Sequence, residues 1–179
     1  MIKQMELAHR FLSEIITAED TVVDTTMGNG YDTLFLTELS NHVFAFDVQE
    51  AALEATQKRL KAAGKTATLI LDGHENLDNY VNGPITAAIF NLGYLPQTDK
   101  SVITHSQTTL TALSKIMERL VKGGRISIMI YYGHNGGAQE KNAILQWATE
   151  LQQRDWEVMI YQPLNQIHTP PILIIIEKR

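Results

Sequence analysis

Apolar positions along this chain switch repeatedly between helical spacing and short β-branched runs. Met5, Ala8, Phe11, Leu12, Ile15 and Ile16 recur every three to four residues and predict a helix within residues 1–17. Thr21-Val22-Val23-Asp24 is short and β-branched, so it predicts a strand that ends at a glycine turn. A helix is expected over residues 31–39, a strand over 42–46, and a helix over 49–63 that Gly64 stops. Strands follow over 67–71 and 85–90. A helix over 107–121 should end at Gly123-Gly124, with a strand over 125–131 after it. Gly136-Gly137 opens a helix running to about residue 154, and strands at 157–161 and 172–177 close the pattern.

Alternating strands and helices with central apolar runs argue for a doubly wound α/β fold: a parallel, Rossmann-like sheet covered on both faces. Only residues 162–171 separate the last two strands, too few for a helical crossover, so these two should pair as an antiparallel C-terminal hairpin. The expectation is a mainly parallel seven-stranded sheet. No linker, repeat or low-complexity tract intervenes, so residues 1–179 read as one domain.

Composition narrows the chemistry. With 44% apolar and 20% charged residues the chain is an ordinary soluble one, and the cytoplasm is its expected location. No apolar run is long enough to span a bilayer, and MIKQMELAHR lacks the apolar core of a secretion signal. The absence of cysteine removes thiolate metal sites and cysteine nucleophiles, and no histidine pair shows metal-ligand spacing. A net charge of −5 argues against general nucleic-acid binding but leaves room for a local RNA contact. Two basic clusters, Lys58, Arg59, Lys61 and Lys65, and Lys115, Arg119, Lys122 and Arg125, read first as solvated helix faces.

The candidate chemistry gathers at strand ends. Asp24-Thr25-Thr26-Met27-Gly28-Asn29-Gly30 delivers an acid and then two glycines where such sheets bind ligands. The second strand ends in Asp47, with Gln49 close behind; Asp47 suits either the two hydroxyls of a ribose or a helix cap. The third ends in Asp72-Gly73-His74, where Asp72 could accept from an adenine amino group beside His74, or simply shape a turn. A nicotinamide-dependent dehydrogenase is the obvious rival. Against it, Thr33 stands where the third glycine of a dinucleotide fingerprint belongs. Asp24 would also repel a pyrophosphate, whereas it suits a cationic sulfonium and its amino-acid moiety.

The fourth and fifth strand ends look like a substrate side. Asn91-Leu92-Gly93-Tyr94-Leu95-Pro96 is similar to the Asn/Asp-Pro-Pro-aromatic loop of amino-group methyltransferases, with Leu and Gly in place of both prolines. In such a loop Asn91 would accept from the amine and Tyr94 would stack on the substrate. Tyr131-Tyr132-Gly133-His134-Asn135-Gly136-Gly137 follows the fifth strand. Tyr132 could stack on a base, and His134 could take a proton from an amine or merely shape the next helix start. His9 and His42 read as structural or surface residues, and His105 as a residue flanking a helix start.

The seven-strand plan resembles the class I methyltransferases. Together, Asp24 to Leu34, Asn91 to Pro96, Tyr131 to Gly137, Asn165-Gln166, Pro170-Pro171 and Ile176-Glu177-Lys178 resemble the YtqB-like family, also described as rRNA methylases. The resemblance covers nearly the whole chain. It implies S-adenosylmethionine as cofactor, held by Gly28, Asn29, Gly30, Asp32, Asp47, Gln49, and Asp72 or His74. It implies methylation of the aminomethyl group of 5-aminomethyl-2-thiouridine at the wobble position of tRNA, with Asn91 and His134 at the chemistry and the anticodon loop as partner. The alternatives are an rRNA methyltransferase, a small-molecule N- or O-methyltransferase, and a catalytically idle cofactor-binding protein. A face of the first helix carrying Phe11, Leu12 and Ile15 could meet a second copy of the chain.

Overall fold

The computed structural model describes residues 2–93 and 105–179. Seven strands form one sheet: β1 (Thr21–Asp24), β2 (His42–Asp47), β3 (Thr68–Leu71), β4 (Ile85–Leu92), β5 (Leu120–Ile130), β6 (Trp156–Tyr161) and β7 (Ile172–Lys178). Their order is β3-β2-β1-β4-β5-β7-β6. The five strands from β3 to β5 pair parallel, while β7 is antiparallel to both β5 and β6. The mainly parallel seven-stranded sheet and its antiparallel end agree with the sequence pattern. That β7 inserts between β5 and β6 does not follow from loop length.

The helices are α1 (Gln4–Ser13), α2 (Tyr31–Leu39), α3 (Glu50–Ala62), α4 (Ser106–Arg119) and α5 (Gly137–Thr149). Strand alternation divides the apolar residues between two layers. Val22, Val43, Ala45, Ala87, Ile89, Met129, Leu173 and Ile175 face α1, α2 and α3. Val23, Phe46, Ile70, Ala88, Phe90, Ile128 and Ile174 face α4, α5 and a 3₁₀ turn at His74–Asn79 that the periodicity does not reveal. No helix among the described residues is long and apolar enough to cross a membrane.

Two boundaries differ from expectation. The fourth helix stops at Arg119, not at Gly123-Gly124, because Leu120 already pairs with Ile85 in the sheet. Those glycines belong to β5, where a Cβ on Gly124 would lie 2.8 Å from the Val121 carbonyl and 2.9 Å from that of Thr86. The fifth helix ends at Thr149, five residues early, and the chain then turns through Gln152 into β6.

Part of the helix face offered above to a second copy of the chain is occupied from within. Leu12 is fully buried with Ile16, Val22 and Leu36, and Phe11 packs beside Tyr161. Arg125 on β5 ties α1 down by donating to the Phe11 carbonyl and pairing with Glu14 (2.7 Å) and Glu177 (2.6 Å). Lys115 and Arg119 both pair with Asp78 at 3.2 Å, so much of the second basic cluster serves the fold.

Because Ile174 is 1% exposed at the centre of β7, Ile174→Ala should cost about 2–5 kcal/mol. Urea unfolding followed by circular dichroism measures this as a lower midpoint at unchanged slope.

Candidate active site

The direction of winding reverses between β1 and β4, which opens a crevice at the carboxyl ends of the strands. The β1–α2 turn lies over it and is pinned on both sides. Thr25 donates its backbone N–H and its hydroxyl to the Ile89 carbonyl, and Met27 donates to Phe46. Thr26 Oγ1 accepts the Asn91 N–H at 2.8 Å. The turn itself needs glycine. Gly28 and Gly30 have φ of 49° and 78°, and a Cβ on Gly30 would lie 2.8 Å from Thr56 of α3. Arg59 lies over the Tyr31 ring at 3.6 Å and donates to the Asn29 carbonyl, closing the turn from outside.

Asp24 is wholly buried beneath this turn. Oδ1 accepts from Thr26 N–H and Oδ2 from the Thr33 hydroxyl. Burial, reinforced by the nearby charge of Asp32, pushes its carboxyl up to about 7. Asp47 accepts from Gly28 N–H through Oδ2 and from Gln49 N–H through Oδ1, so it ties the glycine turn to the start of α3. Burial raises its pKa, while those same backbone N–H groups oppose the rise. The cap reading and the ribose reading of Asp47 are compatible, since each oxygen keeps a second lone pair.

Asp72 and His74 part company at the third strand end. Asp72 accepts from its neighbour Gly73, from Asn76 Nδ2 and from Tyr80 Oη, and the Asn76 and Tyr80 hydrogen bonds lower its pKa. His74 is buried edge-on against Phe90 and donates through Nδ1 to the Thr25 carbonyl, so it supports the turn from below. Its Nε2, an acceptor in that tautomer, is buried without a hydrogen-bond partner among the described residues, and burial lowers its pKa.

Asp32, at the start of α2, has partners that the sequence did not reveal. Its oxygens are taken by His9 Nε2 and Asn91 Nδ2, each at 2.5 Å. Asp32 therefore bears on the orientation of Asn91, and each of its oxygens keeps a second lone pair, so the cofactor contact expected above stays compatible with these bonds. His9, read as structural or surface, belongs to this group. Its position gave a signal: Ala8, His9 and Leu12 share one helix face, and Ala8 and Leu12 are buried.

The fifth strand end also reorders the candidates. Tyr132 packs against the core with Lys141 Nζ 4.5 Å from its ring. Tyr131 is the exposed aromatic, and burial of its hydroxyl together with the charge of Asp32 raises its pKa. His134 donates through Nδ1 to the Asn135 carbonyl, and its Nε2 lies 3.8 Å from where a Cβ on Gly93 would stand. Thr169, in the loop between β6 and β7, closes on Gly133 from the other side. Tyr94, with Leu95 and Pro96, lies outside the described residues.

Asp47 and Asp72 offer acceptor oxygens at the second and third strand ends, above the buried acid Asp24 at the first. Such a set fits a cation carrying hydroxyls and amino groups, and it does not fit a pyrophosphate. The fold and the site define a class I S-adenosylmethionine-dependent methyltransferase. The chain matches, over residues 43–177, the family model described as "Putative rRNA methylase", and it belongs to that family. It is 37% identical over 193 residues to the chloroplastic tRNA (mnm(5)s(2)U34)-methyltransferase of Arabidopsis thaliana, across 99% of this chain and 70% of that one. Among solved structures it is similar to a "putative methyltransferase" from Streptococcus mutans in complex with SAH, with 53% identity, coverage of 100% and 99%, and a TM-score of 0.95. It is also similar to an rRNA methylase from Streptococcus thermophilus, with 50% identity, coverage of 99% and 98%, and a TM-score of 0.88.

The buried acid generates a pH prediction. A folded pKa near 7 against 3.8 unfolded means the folded state binds the extra proton between those values. The contribution of Asp24 to stability is therefore full below about pH 4 and is lost as pH rises towards 7. Asp24→Asn keeps both contacts, accepting from Thr26 and donating to Thr33, without the buried charge. Its melting temperature should exceed that of wild type at pH 8, by about 2–4 °C per kcal/mol recovered, and the gap should shrink on going to pH 5.

Proposed function

We propose that this enzyme methylates the exocyclic amine of 5-aminomethyl-2-thiouridine at the wobble position of tRNA. The observation that carries the reading is the contact of the Asn91 amide with Asp32: a carboxylate only accepts, which puts Nδ2 on Asp32 and leaves Oδ1 to accept an amine N–H. The name of the Arabidopsis relative supports the same substrate. The lack of cysteine agrees, because amine methylation needs no covalent nucleophile, whereas carbon-5 methylation through a cysteine adduct is excluded.

When bound, S-adenosylmethionine supplies a methyl group on a sulfonium. The residues proposed to hold it are Gly28, Asn29 and Gly30 at the turn, Asp47 and Gln49 at the ribose, and Asp72 or His74 near the adenine. The protein's remaining task is to bring a neutral amine into line and to exclude water. Asn91 Oδ1 takes one N–H. His134, beside Gly93, is the proposed acceptor of the proton that the amine must shed. Tyr131 is exposed beside Asp32 and is better placed than Tyr132 to stack on an unpaired base of the anticodon loop. Residues 1–179 act as one domain in this reading, with the cytoplasm as its location.

Asp47→Ala should weaken S-adenosylmethionine binding by about 1–3 kcal/mol in calorimetry, and an unchanged affinity removes Asp47 from the cofactor site. Asn91→Ala should lower turnover at least about tenfold while cofactor affinity stays close to wild type. Turnover is read by digesting tRNA that carries 5-aminomethyl-2-thiouridine after incubation with enzyme and cofactor, then weighing the nucleosides. A one-methyl gain on that nucleoside supports the substrate. Methyl appearing only in ribosomal RNA or in a free amine refutes it and leaves the methyltransferase assignment intact.

A further inference from the structure

Asp32 has one carboxylate oxygen on His9 and the other on Asn91. An ionised carboxylate can only accept, so both neighbours must donate. Two orientations follow that the heavy atoms alone leave open. His9 carries its proton on Nε2, and Asn91 turns its NH2 group to Asp32. The three residues come from α1, α2 and β4, so this link exists only in the folded chain.

His9 is itself held in place. Its ring lies flat on Phe35, with centroids 3.7 Å apart and planes within 2°. Phe35 follows Asp32 by three residues on α2, so one helix face positions both the ring and its partner. The helix that delivers His9 is anchored by Leu12 and Ile16 in the core and by Arg125. Both His9 and Asp32 lie outside residues 43–177, over which the family model matches.

An amine attacks along its single lone pair. One N–H held on Asn91 Oδ1 therefore directs the pair, whereas an inverted amide would offer the same nitrogen a donor and occupy it. We propose that His9 is a positioning residue for methyl transfer: acting through Asp32, it holds Asn91 with its carbonyl oxygen toward the acceptor amine. This inference rests on the amine reading given above.

Three variants test it: His9→Ala, His9→Gln and Asp32→Asn. Glutamine places an amide nitrogen near the position of Nε2 and keeps a donor for Asp32. The first readout needs neither cofactor nor acceptor: the side-chain NH2 protons of Asn91 in nitrogen-15-labelled protein. One of them should resonate downfield in wild type and His9→Gln, then return toward a solvated amide in His9→Ala and Asp32→Asn. An Asn91 amide unmoved by His9→Ala overturns the proposal whatever the substrate proves to be. If His9→Ala does not fold, an amide unmoved in the near-isosteric Asp32→Asn overturns it equally.

The second readout is kinetic. In His9→Ala, kcat with the wobble-modified tRNA should fall about 10–100-fold, with KM for tRNA and for cofactor within about threefold of wild type. His9→Gln should recover most of that loss. A kcat unaffected by His9→Ala, or as low in His9→Gln as in His9→Ala, overturns the proposal. Wild-type enzyme that leaves this tRNA unmethylated overturns the substrate reading instead, and the amide spectra then decide the role of His9 alone.

Discussion

Asp24 and Asp32 share one crevice, and the repulsion and desolvation of these two carboxylates shape everything around them. Asp24 has no exposure at all, and its carboxyl is pushed to about 7 by burial and by its neighbour. Each acid is spared a worse penalty by donors brought from elsewhere in the chain: Thr26 and Thr33 for Asp24, His9 and Asn91 for Asp32. A site so built is short of positive charge until a cationic ligand arrives. The fold accepts a local loss of stability, and the crevice is electrostatically prepared for a sulfonium.

The rest of the architecture keeps this arrangement in place. Parallel pairing of β1 with β4 sets Asp24 opposite Ile89, so Asn91 stands two residues beyond the acid, toward the carboxyl end of the sheet. The β1–α2 turn is fastened to β4 through Thr25 and Thr26 and to β2 through Met27. On the far side, α1 is clamped by Arg125, whose partners lie on α1 and β7. The antiparallel end of the sheet thus does more than close an edge. It holds the helix that carries His9 across to the crevice.

The charge distribution bears on how RNA would be met. Lys115 and Arg119 are committed to Asp78, and Arg125 to Glu14 and Glu177, so their charges are largely neutralised within the fold. Around the crevice, Arg59 lies over Tyr31 and Lys141 over Tyr132, where cation and aromatic ring are presented together. With a chain this acidic, recognition of a single unpaired loop suits those few sites better than a broad phosphate footprint.

The fold class was legible in the linear order of residues because periodicity is a local property. Val22-Val23 before a glycine turn, the helical spacing before Gly64 and the short interval between the last two strands each report their own neighbourhood. The strand-end acids Asp24, Asp47 and Asp72 could be found for the same reason: a strand end is visible in sequence. Partnership was not visible. Nothing near Asp32 in the sequence announces its partners before α1 is folded across it, and His9 reads as a structural or surface residue. Gly123-Gly124 looks like a helix stop until Leu120 pairs with Ile85. The pairing of β7 with β5, and the join of His9, Asp32 and Asn91, depend on contacts between residues 23 to 59 positions apart. Hydrogen bonds at 2.5 Å are made by geometry in space, which the local pattern of a chain does not encode.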